Sequence, residues 1–148
     1  MNHLIAYTGV ALAAALAGIG SAVGVGLVGR AAAGVLSVDP KKFGKLLLLV
    51  ALPGTQGIYG FVIAFLLLGR IQGADLNADP AFAWKALMAG VPVAFAGLLS
   101  AIHQARVGVS GVALAAKQPA DAAKGLILAV FVEFYAILGF LVSFLMLP

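Results

Sequence analysis

Cysteine is absent from the 148 residues, which excludes disulfides and thiolate metal sites and leaves the redox state of the compartment open. Charge is nearly as scarce. Asp, Glu, Lys and Arg make up 9% of the chain, against about 25% in an ordinary soluble domain. Mean hydropathy is +1.15, and lipid is the solvent that suits such a composition. No Lys or Arg precedes the first apolar run, which outlasts a signal peptide and therefore reads as a first helix rather than a cleaved leader. No Gly-x-x-x-x-Gly-Lys phosphate loop occurs, and no nucleophile–base or metal-ligand cluster, which argues against an enzyme. Alternating β-barrel patterning is missing as well; stretches such as 46–52 and 126–132 are apolar without a break.

What is present is four apolar segments, 1–36, 46–68, 81–116 and 125–147. Each is long enough for a hydrocarbon core about 30 Å thick, which takes about 20 helical residues. The expected fold is an all-α membrane protein with four transmembrane helices, at about 3–36, 42–70, 80–116 and 120–147. The net charge of +4 reports topology here rather than nucleic-acid binding. Seven of nine basic residues (Arg30, Lys41, Lys42, Lys45, Arg106, Lys117, Lys124) cluster near the 1–2 and 3–4 connections. Arg70 and Lys85 flank the 2–3 connection beside Asp75 and Asp79. The positive-inside rule then puts loops 1–2 and 3–4 in the cytoplasm and both termini on the opposite side of the cell membrane.

The chain is written twice. Residues 17–68 laid on 96–147 without gaps, at an offset of 79, match at 16 of 52 positions. Ser21/Ser100, Gly29/Gly108, Pro40/Pro119, Lys45/Lys124, Gly60/Gly139 and Phe65/Phe144 are among the matches. Apolar composition raises chance matches, but it does not align a loop proline and the lysine after it. The expected units are two tandem helical hairpins, 1–74 and 75–148, parallel in the membrane rather than inverted. Helix 1 carries Gly18, Ala22 and Gly26 at every fourth position with Gly20 and Gly24 alongside; helix 3 has Gly97, Ala101 and Ala105 at that spacing. Small residues so spaced let helices approach closely in lipid. Most aromatics fall on helices 2 and 4. Narrow inner helices and bulky outer ones suit hairpins set side by side in a homo-oligomeric ring surrounded by membrane lipids; a compact four-helix bundle is the competing arrangement.

Glu133 is the only glutamate and sits about halfway along helix 4. A charge at that depth costs on the order of 3 kcal/mol, so it persists for a reason. A protonated hydrogen-bond clasp is the structural alternative, yet the repeat partner of Glu133 is Gly54, and a clasp needed for folding would stand in both copies. Leu52, Thr55, Gln56 and Tyr59 share one face of helix 2. Pro53 removes a backbone N–H and leaves the Leu49 carbonyl without its usual donor. Helix 3 adds Gln104. The Thr55 hydroxyl, both amide oxygens, a nearby backbone carbonyl and one carboxylate are hard donors suited to a monovalent cation, Na⁺ or Li⁺, over a divalent one. Interhelical polar glue is the bland reading of the amides, and H⁺ would need only Glu133 and one partner. Tyr59 reads as a hydroxyl donor to Glu133, with aromatic packing as the alternative. His103 reads as interfacial rather than as a proton relay.

The run 52–61 (Leu-Pro-Gly-Thr-Gln-Gly-Ile-Tyr-Gly-Phe), Gln104 and the run 132–140 (Val-Glu-Phe-Tyr-Ala-Ile-Leu-Gly-Phe), together with the duplicated hairpin, resemble the membrane rotor subunits (proteolipids, subunit K) of V-type and A/V-type ATPases. The likeness covers the whole chain. It implies a ring of identical subunits turning against a stator membrane subunit with an essential arginine, driven through central-stalk subunits, with ATP hydrolysis on other chains. It further implies Na⁺ held by the Leu52 carbonyl, Thr55, Gln56, Gln104 and Glu133, with Tyr59 hydrogen-bonded to the glutamate. Phe134 departs from the pattern, where a small polar residue is expected. A self-contained channel or transporter and a purely structural proteolipid remain as readings of another class.

Overall fold

The computed structural model describes all 148 residues, and helices dominate it. The helices are α1 (Asn2–Leu36), α2 (Phe43–Ala51), α3 (Thr55–Gln72), α4 (Pro80–Lys117) and α5 (Ala122–Leu145). A single 3₁₀ turn, Leu52–Gly54, joins α2 to α3, so the two form one membrane span and the chain has four spans of membrane-crossing length. That turn falls at Pro53, which has no N–H to continue the α ladder.

Loop chemistry sets where the helices stop. Asp79 accepts from the N–H groups of Ala81 and Phe82 at 3.1 and 3.3 Å, and Pro80 takes the first helical position of α4. α4 ends before Pro119, which keeps Gln118 out of the helical region, at φ −132° and ψ 78°. At that end Lys42 and Lys45 reach across to the carbonyls of Ala116 and Pro119, at 2.8 and 3.0 Å. The first bond satisfies an acceptor that the end of α4 would otherwise leave open, and the second ties Lys45 to the turn that opens the last span.

The spans lie in two layers. α1 and α4 pack along their lengths, α3 lies against α1, α5 against α4, and α3 and α5 touch each other only sparingly. Close approach needs glycine at a few positions: a Cβ at Gly20 would fall 2.7 Å from the Leu98 Cα, and one at Gly97 2.8 Å from the Ala17 Cβ. Van der Waals packing of this kind replaces the hydrophobic drive that lipid cannot supply. The duplication is visible in the packing. Gly60 rests on Ala13 and Ala17 as Gly139 rests on Pro92 and Ala96, each partner shifted by the same 79 residues.

The glycine pattern of α1 divides differently from the sequence expectation. Gly97, Ala101 and Ala105 are buried, but Ala22 and Gly26 are exposed, and a Cβ added at Gly18 or Gly26 meets nothing within 4 Å. Residues two apart on a helix lie about 200° apart around it, so Gly20 and Gly24 face α4 while Gly18, Ala22 and Gly26 cannot.

Two apolar clusters fill the protomer. One includes Ala6, Ile63, Leu67, Leu76, Ala86 and Val93; the other includes Val28, Leu46, Leu49, Ala105 and Val112. Between them lies a polar layer containing Gln56, Gln104 and Glu133, all buried.

Candidate functional site

Glu133 projects from the middle of α5 and is 6% exposed. Both carboxylate oxygens are engaged. Oε1 accepts from the Thr55 hydroxyl at 2.5 Å and from the Tyr59 hydroxyl at 2.7 Å. Oε2 accepts from the Gln104 side-chain amide at 2.7 Å and from that of Gln56 at 3.1 Å. Four side chains from two spans therefore converge on the one carboxylate of a third. Charge-assisted hydrogen bonds of this kind are about twice as strong as neutral ones, which is how a buried carboxylate is tolerated at membrane depth.

The supporting bonds run outward from this centre. Gln56 Nε2 also donates to Gln104 Oε1 at 2.7 Å, and Gln104 Nε2 also donates to the Ala129 carbonyl at 3.1 Å. The Thr55 hydroxyl sits 2.8 Å from the Leu52 carbonyl oxygen. Pro53 is buried and Leu52 begins the 3₁₀ turn, so the turn that the proline imposes is what brings this carbonyl beside the threonine. Gln56 Oε1 is buried with no hydrogen-bond partner, the one such side-chain oxygen in the protein. A lone acceptor in this setting is costly unless something electropositive meets it.

Each sequence-predicted residue can now be placed. Leu52, Thr55, Gln56, Tyr59, Gln104 and Glu133 are brought together, with Pro53 at the turn that shapes them. Tyr59 fills both roles weighed for it: its hydroxyl binds Glu133, and its ring packs 5.5 Å from that of Phe140. Phe134 points away from the centre, half exposed and edge-on to Phe131 at 5.9 Å. Its departure from the family pattern therefore leaves the cluster untouched. His103 is exposed, about 100° around α4 from Gln104 and at the same depth, so it lies beside the cluster rather than at the membrane interface expected from the sequence.

Two contributors were not singled out from the sequence. Ser21 on α1 accepts from the Gly57 N–H at 2.7 Å, which braces the turn after Pro53. Its match with Ser100 made it visible as a repeat position but carried no sign of this partner. The Ala129 carbonyl fixes the Gln104 amide, and a backbone acceptor leaves no trace in residue identity.

An apolar cleft of about 280 Å³ opens on the outer face beside the cluster, lined by Leu48, Ala51, Leu52, Thr55, Leu126 and Val130. Thr55 and Leu52 thus belong both to the polar centre and to an opening toward the loop 1–2 and 3–4 end.

Known proteins resemble this chain along nearly its whole length. The family model of the ATP synthase C subunit matches twice, over residues 8–67 and 87–146, the second match beginning and ending 79 residues after the first. Subunit K of the V-type sodium ATPase of Enterococcus hirae is 47% identical, over 99% of this chain and 97% of that protein. Subunit K of the A-type ATP synthase of Methanocaldococcus jannaschii is 36% identical over 97% of this chain, which spans 62% of that longer relative. A 16 kDa proteolipid of the V-type proton ATPase of Caenorhabditis briggsae is 30% identical, over 95% of this chain and 87% of that protein.

Proposed function

The chain belongs to the ATP synthase C-subunit family and is a non-catalytic, multi-pass membrane subunit of an ATPase complex; on that premise we propose that it is a rotor-ring subunit that carries Na⁺ at Glu133. The observation that carries this reading is the buried carboxylate ringed by Thr55, Tyr59, Gln56 and Gln104, with Gln56 Oε1 beside it and unpartnered.

Five oxygen donors stand within this cluster: the Leu52 carbonyl, Thr55 Oγ1, Gln56 Oε1, Gln104 Oε1 and Glu133. An arriving Na⁺ takes them as ligands, its single charge balanced by the single carboxylate. Gln56 and Gln104 now offer amide N–H groups to Glu133, and rotation of their terminal torsions presents oxygen instead. Tyr59 acts as a hydrogen-bond donor that aims the Glu133 carboxylate at the cation. The same centre without a cation is a hydrogen-bonded carboxylate, the state from which a ring subunit exchanges its ion.

In the assembled machine, identical copies form the ring, and ATP-driven rotation through central-stalk subunits carries each loaded Glu133 past a stator subunit. There a stator arginine displaces the cation by charge. Loops 1–2 and 3–4 face the cytoplasm, by the clustering of Lys41, Lys42, Lys45, Lys117 and Lys124, and the hairpins 1–74 and 75–148 are the two structural units of each copy.

Reaction of the purified protein with a carbodiimide, with and without Na⁺ over a range of pH, tests the ion. Carbodiimides attack protonated carboxyls, so a bound cation shields Glu133. Labelling that millimolar Na⁺ suppresses and K⁺ does not is the expected result. Efficient labelling indifferent to Na⁺ overturns the sodium reading in favour of H⁺, and returns Gln56 and Gln104 to a purely structural role.

A further inference from the structure

The repeat makes the contact between the two hairpins a template for a contact that one chain cannot make with itself. Within the chain, α4 lies in the groove between α1 and α3. Gly97 meets Ala17 and Gln56, Leu98 meets Gly20, and Ala101 meets Gly24, which also abuts Pro53. Shifted by 79 residues, the groove positions Ala17, Gly20, Ser21, Gly24, Pro53 and Gln56 become Ala96, Leu99, Ser100, His103, Val132 and Tyr135. Those six residues line one open cleft of about 440 Å³ between α4 and α5. Shifted the other way, Gly97, Ala101 and Ala105 become Gly18, Ala22 and Gly26, the face of α1 left open. The protomer therefore displays a groove on one side and the matching ridge on the other, each continuing the internal interface. Leu99 and Tyr135 in the groove are 55% and 69% exposed, and Ile19 on the ridge is 53% exposed.

We infer that, in the ring proposed above, the α4–α5 cleft receives α1 of a second copy through Gly18, Ala22 and Gly26, and that His103 props this joint wider than the joint inside the chain. The prop rests on one difference between the repeats. A Cβ at Gly24 would lie 2.7 Å from the Pro53 Cβ and 3.0 Å from the Ala101 carbonyl oxygen, so nothing larger than hydrogen fits there. The counterpart position holds an imidazole, between Val132 and the Ala22 of the next copy. Helix axes pack about 8–10 Å apart according to the side chains between them, so the joint at His103 stands about 1–2 Å wider than the joint at Gly24. The second copy also covers the polar groups of His103 and Tyr135, which otherwise face lipid unpaired at the level of the ion centre. The ring thus alternates tight glycine joints within chains and looser joints between them.

The absence of cysteine lets introduced pairs report the joint without background. In the full chain carrying Ile19→Cys and Leu99→Cys, the counterparts of Leu98 and Gly20, mild oxidation gives a ladder of covalent oligomers on a denaturing gel. Native mass spectrometry of the unmodified protein separates the two readings. A monomer overturns the ring itself, whereas a ring whose double-cysteine form gives no ladder overturns only the docking register. Electron cryomicroscopy of the ring then measures the prop. The separation between α4 and the next α1 at His103 exceeds the internal separation at Gly24 by about 1–2 Å, and His103→Gly removes the excess. Equal separations in the unmodified ring overturn the prop whether or not the variant assembles, and so does an excess that survives His103→Gly.

Discussion

The first hairpin and the second pack their glycines alike, Gly60 on Ala13 and Ala17, Gly139 on Pro92 and Ala96. Four of the matched positions at which they differ bear on the site. Gly54 answers Glu133, so only the second hairpin carries a carboxylate. Tyr135 answers Gln56 and Leu138 answers Tyr59, so only the first supplies this set of partners from its outer span. Gly24 answers His103, so only the first offers a close surface to the helix that follows. Duplication here produced two complementary halves of one centre rather than two centres. A carboxylate and its partners on one hairpin would meet only at the joint with another hairpin, and splitting them places that joint inside the chain.

The largest effect comes from removing the charge. Glu133→Gln abolishes ATP-driven Na⁺ uptake into vesicles containing the reconstituted complex, while the detergent-purified ring still assembles. Uptake that survives would sink the carrier role. Moving the carboxylate to the first hairpin sharpens the comparison: Gly54→Glu combined with Glu133→Gln stays inactive, because the matched partners are Phe134, Tyr135 and Leu138. Recovery of transport in that double variant would mean that the partners are dispensable.

Gln104→Leu strikes the second hairpin's own polar support. It removes one of the two donors to Glu133 Oε2, leaving Gln56, and takes the side-chain donor from the Ala129 carbonyl. Loss of a buried partner costs about 1–3 kcal/mol, so the Na⁺ concentration that protects Glu133 from carbodiimide rises roughly 5–150-fold. An unchanged protection curve would show that Gln104 is not a ligand. Smaller still are the packing changes. Gly24→Ala drives a methyl group against Pro53 and Ala101 and costs about 1–3 kcal/mol, read as a lower thermal midpoint of the purified protein. Gly26→Ala, whose repeat counterpart is already Ala105, shifts that midpoint by less than about 0.5 kcal/mol equivalent. Equal losses for the two would contradict the division of the α1 stripes.

Much of the carboxylate cluster was legible because its parts carry identity: a lone Glu, two Gln, a Thr and a Tyr in an apolar chain, with the last two and one Gln on one helical face. Ser21 and the Ala129 carbonyl were not legible, since their roles depend on which atom happens to lie opposite. The stripes of α1 show the same limit. Gly18, Ala22 and Gly26 have the spacing of a close contact, but the contact made within the chain belongs to Gly20 and Gly24. Spacing identifies a narrow face without saying which neighbour fills it.

Composition and periodicity alone determined that the chain crosses a membrane as helices, that it is a hairpin written twice, and that a lone carboxylic residue lies halfway along its last span. Those properties follow from lipid's intolerance of unpaired polar groups, which acts on each segment separately. Only the tertiary structure decided which of two glycine stripes meets α4, that the side-chain oxygen of Gln56 is left free, and which groove remains open beside His103. Each of these depends on the rotation of one helix against another, and that rotation is set by the fit of facing side chains rather than by the residues of either helix taken alone.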